Sequence, residues 1–468
     1  MLRVLWVRRA EENPFLGGFH SFPGGRVARE DGIVGSDPHG TSLTMARCAA
    51  RETFEETGIL IGFEGSPPPP EVRNPAREQV LNGKVEFWPT VERWGLRFDP
   101  NALTPCGRWV TPHMSLVRFD TMFFLLDLPR PPAPEVWPGE LESGEWIEPR
   151  QALELWMQDR VTLAMPTLHA IRVLTEGSGR LSERLSGIPE ANGVPSRHVD
   201  VHRGITMIPL RSETLAPATH TNAVVIGEGD AAIVDPGTDD PGELEALYLV
   251  ADRAIADGGR VLAILITHHH GDHTGGVESA RARYGAPVWG HPLLDGRVRL
   301  DRPIGDGERI ELRGARPRVV RALATPGHAR SHIAYYEETS RTLCAGDLVS
   351  GYGTVLIAPP DGNLRDYLTS LGRVRDLGAG ALIPGHGPPS RGVERAIDAL
   401  LEHRRMREER IVRALASGPM TFEALREETY RDTPGAPPGL AAKTLRAHLE
   451  KLFEEGRARE VADRIELA

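Results

Sequence analysis

Residues 261–273 read Val-Leu-Ala-Ile-Leu-Ile-Thr-His-His-His-Gly-Asp-His, an apolar run that ends in a His-x-His-x-Asp-His cluster. The apolar part suits a buried strand. His268, His270, Asp272 and His273 then crowd one loop at the strand end, where imidazole nitrogens and a carboxylate suit zinc. A solvated His-rich turn would stand alone, and this cluster has counterparts downstream. His328 in Thr-Pro-Gly-His, Asp347 in Ala-Gly-Asp and His386 in Pro-Gly-His-Gly each follow an apolar run and a glycine. The glycine gives the backbone room to aim the next side chain from a strand end. Together these are seven candidate ligands, enough for two four- or five-coordinate zinc ions sharing an oxygen bridge.

The bulk properties frame that site. A chain of 468 residues is too long for one core and suggests about three domains. A formal charge of -10 and a pI near 6.0 argue against a chain whose main business is clamping a polyanion. Cys48, Cys106 and Cys344 are too few and scattered for a disulfide scaffold or a cysteine-based zinc knuckle. No stretch reaches the roughly 18 to 20 consecutive apolar residues of a membrane span. The opening Met-Leu-Arg-Val-Leu-Trp-Val-Arg-Arg is too short and charged for a signal peptide. A reducing, cytoplasmic setting without membrane contact is expected.

Pro67 to Pro70 and the proline-rich run 131–138 are expected as loops. Residues 179–204 are expected as a linker between a first domain, 1–178, and a second, 205–395. In the second, short apolar runs at 223–226, 231–234, 261–266, 319–322, 334–336 and 381–383 alternate with turns and helical stretches, which predicts a sheet-rich α/β domain. A third domain, 396–468, reads as three helices (399–416, 421–430, 440–455) and a strand-like end, a pattern that resembles a winged helix.

The seven ligand candidates resemble those of the metallo-β-lactamase superfamily over roughly residues 205–390. That resemblance implies an αββα sandwich with two zinc ions at its sheet ends. Residue by residue, it implies that His268, His270 and His328 hold the first zinc, that Asp272, His273 and His386 hold the second, and that Asp347 bridges them. Two zinc ions a few ångströms apart supply hydroxide at neutral pH and polarise the oxygen under attack. Asp272 can orient or accept the proton. His269 and His332 are read as supporting imidazoles, and Asp235 as a structural acid that holds the histidine loop.

Further cues resemble the β-lactamase-like protein 2 type: Gly353-Thr-Val, Tyr367-Leu-Thr-Ser-Leu, Pro384-Gly-His-Gly-Pro and a helix containing His403-Arg-Arg-Met-Arg-Glu-Glu-Arg. This group implies either cleavage of single-stranded RNA or hydrolysis of acyl thioesters on a carrier protein. Residues 391–468 hold fifteen Lys or Arg against fifteen Asp or Glu, so the tail lacks the net basic character that nucleic-acid binding usually needs. Arg404, Arg405 and Arg407, beside Glu408 and Glu409, are expected to form a solvated, salt-bridged helix face. Asp347 and His386 are only 39 positions apart, which leaves no room for the β-CASP insertion of large RNA-processing relatives. The tail also does not resemble the thiol-ester-binding domain of glyoxalase II.

A second signature lies in the first third. Arg51-Glu-Thr-Phe-Glu-Glu-Thr-Gly-Ile places Glu52, Glu55 and Glu56 at i, i+3 and i+4, on one helix face. Three carboxylates so placed repel unless a cation neutralises them, and Mg²⁺ or Mn²⁺ would do so while bridging to a diphosphate. Gly58 suits the helix C-terminus. This stretch resembles the Nudix motif, with Thr53 a mild departure, and implies catalytic and metal-binding roles for Glu55 and Glu56 and metal binding for Glu52. Phe22-Pro-Gly-Gly-Arg and Glu30 supply the earlier part of the motif, with Glu142 or Glu145 as a further ligand. The gap before Arg51 and the proline-rich loop after Ile61 resemble the coenzyme A diphosphatase-like Nudix subgroup. No strand precedes Val-Leu-Trp-Val-Arg-Arg, so the first strand of an α/β/α Nudix sandwich is expected to be missing.

The expectation is therefore an α/β multidomain hydrolase. A dinuclear zinc domain would act on RNA or an ester or thioester, fused to a Nudix-like domain that hydrolyses a compound such as coenzyme A. The competing expectation is an acyl thioesterase whose Nudix domain only binds.

Overall fold

The computed structural model describes residues 2–13, 15–33, 38–294 and 296–468, with the side chains of 38–41 left aside. The chain divides into two compact units, 1–196 and 197–468.

In the first unit, strand Val4–Arg9 lies between His20–Ser21 and Leu141–Ile147 and is antiparallel to both. Trp6 and Ile147 on this sheet pack with Ala152, Trp156, Leu163, Leu168 and Ile171. A second core gathers Ala50 and Phe54, from helix Pro38–Thr57, with Phe87, Trp88, Val91 and Leu96. The loop expected around Pro67 to Pro70 ends at Pro69, because Pro70 opens helix Pro70–Leu81. Proline fits the first helical position, where its missing N–H would have had no partner.

The stretch 179–204 contains more than a connection. Helix Leu181–Leu185 belongs to the first unit and buries Leu185. Strand Val199–His202 pairs with Ile205–Arg211 at the edge of the second unit's larger sheet. Its glycines and prolines suggested a linker, while the apolar Val199 and Val201 place its end in a core.

The second unit holds a seven-stranded and a five-stranded sheet. In the larger, Val199–His202, Ile205–Arg211, His220–Ile226 and Ala231–Val234 run antiparallel in succession, followed by parallel Val261–Leu265, Val288–Gly290 and Arg302–Pro303. Helix Pro241–Ala254 starts where Asp240 accepts hydrogen bonds from the Gly242 and Glu243 amides, and lays Leu244, Leu247 and Val250 on Ile208, Ala223, Val225 and Ile233. The alternate residues Met207, Val224, Val234 and Leu265 are buried as well. Both faces of this sheet are therefore covered, as expected of an inner layer.

The smaller sheet joins Arg309–Leu312, Arg318–Ala324, Ile333–Glu337, Thr342–Gly346 and Ala381–Pro384, with only the last pair parallel. Helices Leu364–Arg375 and Val393–Leu415 cover its outer face through Tyr367, Leu371, Val374, Ile397 and Leu400. Tyr335 Oη donates to Ile266 O at 2.9 Å, and the Ile333 amide to Thr267 O at 2.8 Å, so the two sheets meet at the end of strand Val261–Leu265.

Helix Val393–Leu415 runs unbroken across position 395. Its first half packs on the smaller sheet, and Ile411, Ala414 and Leu415 pack with Leu425, Leu445, Leu449, Ala458 and Ile465. The latter come from helices Phe422–Thr429 and Pro438–Glu454 and the hairpin Ala458–Val461/Arg464–Leu467. The exposed arginine face expected on this helix is corrected. Arg404 and Arg407 are buried, at 2% and 6% exposure. Only Arg405 lies outside, paired with Glu402 and Glu409. Among the described residues, no helix is long and apolar enough to cross a membrane.

Candidate metal centre

The Thr-His-His-His-Gly-Asp-His loop begins where strand Val261–Leu265 ends, and Asp235 ends the neighbouring parallel strand. Asp235 Oδ1 accepts from the Thr267 amide at 2.8 Å, and its Oδ2 accepts from Thr267 Oγ1 at 2.6 Å and His273 Nδ1 at 2.8 Å. One buried carboxylate thus fixes both ends of the histidine loop. Three further imidazoles are held in the same way: His268 Nδ1 donates to Thr267 Oγ1 at 3.0 Å, His328 Nδ1 to Leu356 O at 2.8 Å and His386 Nδ1 to His220 O at 2.8 Å. With Nδ1 committed, each ring turns the lone pair of Nε2 inward.

The inward atoms form two groups. His268, His270, His328 and Asp347 each offer an atom within 4.8 Å of the others, and so do Asp272, His273 and His386. His270 Nδ1 stands 2.9 Å from His268 Nε2 and 3.0 Å from His328 Nε2. Tetrahedral zinc with nitrogen at about 2.0–2.1 Å requires ligand spacings of roughly 3.3 Å, so the cradle has nearly the right size. Asp347 faces both groups. Its Oδ2 lies 3.4 Å from His328 Nε2, while Oδ1 lies 3.4 Å from His273 Nε2 and 3.2 Å from His386 Nε2. Asp272 Oδ2 stands 3.6 Å from His386 Nε2.

The local electrostatics suit a cation. Burial, then the neighbouring rings, hold His268 well below the usual histidine range and His270 down to about 4, so both rings are neutral. Burial opposes charge on His273 and His386, but Asp347 together with Asp235 at His273, and Asp347 at His386, raise both. Burial likewise opposes ionisation of Asp347, and His273 and His386 overcome it, holding Asp347 well below the carboxylate range. His273 Nε2 and Asp347 Oδ1 are buried without a hydrogen-bond partner. Such atoms are costly unless something binds them.

Two glycines make the geometry possible. Gly346, at φ +49°, precedes Asp347, and a Cβ there would stand 2.8 Å from His332 Nε2 and 2.9 Å from Thr267. A Cβ on Gly385, before His386, would stand 2.4 Å from Asp347 Oδ1. Asn222 fixes the same turn, its Nδ2 donating to Pro384 O and Gly387 O at 2.8 Å each. This clamp was not anticipated from the sequence, although Asn222 follows a conspicuous Thr-His-Thr run. His332 Nδ1 and Thr325 Oγ1 share a hydrogen bond at 2.8 Å, and the ring stands behind the cluster. His269 accepts from Arg297 Nη1 at 2.7 Å, stands 3.6 Å from Asp361 Oδ2, and forms a further metal-competent group with His270 and Asp361.

The carboxylates of the first unit are arranged differently. Helix Pro38–Thr57 carries Glu52, Glu55 and Glu56, and none belongs to a converging metal-competent group among the described residues. Arg51 stands 2.9 Å from Glu52 Oε1 and donates to Glu55 Oε1 at 3.1 Å, while the Gly24 amide donates to Glu56 Oε2 at 2.9 Å. Burial raises Glu52 to about 7, Glu56 to about 8, and Glu55 in the same direction. Arg51 is anchored by Asp31, through Nη2 to Oδ2 at 2.8 Å, and Asp31 also accepts from Trp88 Nε1 at 3.1 Å. Asp31 escaped the sequence reading, which stopped at its neighbour Glu30. The other expected ligands are engaged elsewhere, Glu142 with Arg8 at 2.7 Å and Glu145 with Trp6 Nε1 at 3.2 Å.

Comparison with known proteins follows the same division. A family model described as the metallo-beta-lactamase superfamily matches residues 216–386, and one described as the NUDT19 Nudix domain matches residues 34–174. A beta-lactamase-like protein 2 homolog of Caenorhabditis elegans is 30% identical over 243 residues, covering 50% of this chain and 79% of that protein. An atrochrysone carboxyl ACP thioesterase of Aspergillus fumigatus is 28% identical over 216 residues, 45% of this chain and 46% of the thioesterase. The crystal structure of a metallo-beta-lactamase family protein from Thermus thermophilus is 26% identical, with a TM-score of 0.46, and covers 57% of this chain and 99% of that one.

Proposed function

The chain belongs to the metallo-β-lactamase superfamily, with a Nudix domain ahead of that hydrolase domain, and from this premise we propose that its second unit is a dinuclear zinc thioesterase acting on acyl chains. The observation that carries the reading is Asp347, whose two oxygens face two separate groups of imidazoles. His268, His270 and His328 would hold one zinc ion, Asp272, His273 and His386 the other, and Asp347 both. Bound there, the two ions would supply acidification of water and polarisation of a carbonyl oxygen. Asp235, Thr267 and Asn222 keep the ligands in place, so little rearrangement accompanies catalysis. Asp272, at the rim of its group, is the carboxylate assigned to accept a proton.

A thioester is favoured over RNA for two reasons. A relative of this domain is named as a carrier-protein thioesterase. The arginine cluster of the C-terminal helix offers no free grip on a phosphate backbone, because Arg404, Arg405 and Arg407 are buried or paired. The three C-terminal helices and hairpin are read as winged-helix-like without a nucleic-acid role.

For the first unit, Glu52, Glu55 and Glu56 are assigned to Mg²⁺ or Mn²⁺, which would hold the diphosphate of a coenzyme A-like compound once Arg51 and bound protons give way. The test is a parallel assay of the intact chain on acyl-coenzyme A, an acyl carrier thioester and single-stranded RNA. Thioester hydrolysis that disappears in Asp347→Ala is the expected outcome. RNA cleavage without thioester hydrolysis would overturn the assignment.

A further inference from the structure

Arg404 lies in the middle of helix Val393–Leu415, and its side chain is among the largest fully buried ones in the protein. A buried guanidinium is costly, and a leucine or methionine would fill the same volume at less cost. Its donors therefore set it apart from an apolar filler. Arg404 Nη2 donates to the carbonyl of Val355. Val355 lies in residues 354–358, which form neither strand nor helix, and its carbonyl is met by this side-chain donor.

The next carbonyl, that of Leu356, accepts from His328 Nδ1 at 2.8 Å. Two successive carbonyls of this segment are thus held, one by Arg404 and the next by His328. A second arm starts from the same guanidinium, which lies 5.5 Å from the ring centre of Tyr367. Tyr367 is fully buried and donates from Oη to Leu348 O at 3.0 Å, next to Asp347.

We propose that Arg404 is a positioning residue of the metal centre, setting His328 through the Val355–Leu356 segment and Asp347 through Tyr367. This rests on the two-metal reading of the site. It assigns the arginine-rich segment of the C-terminal helix to holding the hydrolase together rather than to binding a partner, and it makes the tail a working part of the centre. Outer partners of metal ligands typically change metal affinity by about 10- to 100-fold when removed.

The test uses the intact chain stripped of metal. Zn²⁺ is titrated in competition with a chromophoric chelator, and the visible absorption of the Co²⁺ form is recorded alongside thermal unfolding of the metal-free protein. Arg404→Ala is expected to weaken Zn²⁺ binding by about 10-fold or more and to alter the Co²⁺ spectrum, with Arg404→Lys intermediate. Tyr367→Phe should also weaken binding, and Arg405→Ala should match the parent. A merely structural arginine would lower the unfolding temperature and leave affinity and spectrum unchanged, which overturns the proposal. If Arg404→Ala does not fold, parent-like affinity in both Arg404→Lys and Tyr367→Phe overturns it instead. A parent chain that binds no metal would defeat the two-metal reading itself, a distinct result.

Discussion

In the second unit, the outer nitrogens of His268, His273, His328 and His386 are held by Thr267, Asp235, Leu356 and His220, which leaves their inner nitrogens facing one another. In the first unit, Glu52, Glu55 and Glu56 already have Arg51 and the Gly24 amide as partners. One site keeps the hydrogen-bond anchors of four imidazoles on the far side of each ring. The other places such partners where a cation would sit. A histidine has two nitrogens and can be anchored by one while presenting the other; a glutamate helix must release what it holds. On the proposed reading, the histidine centre would hold a resident metal, and the glutamate face a cation that arrives with its substrate and competes with Arg51 and with protons.

The largest effect expected from this contrast is at the inner ligands. His270→Ala or Asp347→Ala should cost more than about 100-fold in thioester hydrolysis, beyond the range of outer-shell losses, as measured by kcat/KM. Glu55→Gln with Glu56→Gln should leave that activity unchanged. If the double glutamine variant lost it too, the two sites would not be independent. Next in size is Asp235→Asn, which weakens the charged clamp on Thr267 and His273 and should lower metal affinity by about 10- to 100-fold, read by chelator competition.

A smaller effect concerns pH. Glu52 and Glu56 are raised from 4.5 to about 7 and about 8 by burial. A raised carboxyl favours the folded state fully below its unfolded value, and the advantage is lost as pH climbs to the folded value. Without divalent metal, the first unit should therefore lose stability between about pH 5 and pH 8 and level off above. Seven of the eight tryptophans lie in this unit, so tryptophan fluorescence during thermal unfolding reports on it. Mg²⁺ should restore most stability at pH 8 and least near pH 5, and Glu56→Gln should flatten the slope. An equal slope in that variant would remove Glu56 as the cause.

The comparison also shows what a sequence can carry. The places of His328, Asp347 and His386 were legible because each follows a glycine at a strand end, and Gly346 and Gly385 prove too closely packed for any Cβ. The strands themselves were legible as short apolar runs. The glutamate face followed from helical spacing, but its partners did not, since Asp31 and Gly24 reach it from distant parts of the chain. Burial of Arg404 and Arg407 was likewise hidden, because a charged segment reads as surface until the elements packed on it are known. Residues 179–204 had linker composition, yet Val199–His202 pairs into a sheet through a partner strand that composition does not reveal.

Elemental analysis of the freshly purified chain tests the central claim most directly. About two zinc ions per chain, both lost in His270→Ala or Asp347→Ala, is the predicted result. One ion or none in the parent protein would contradict it.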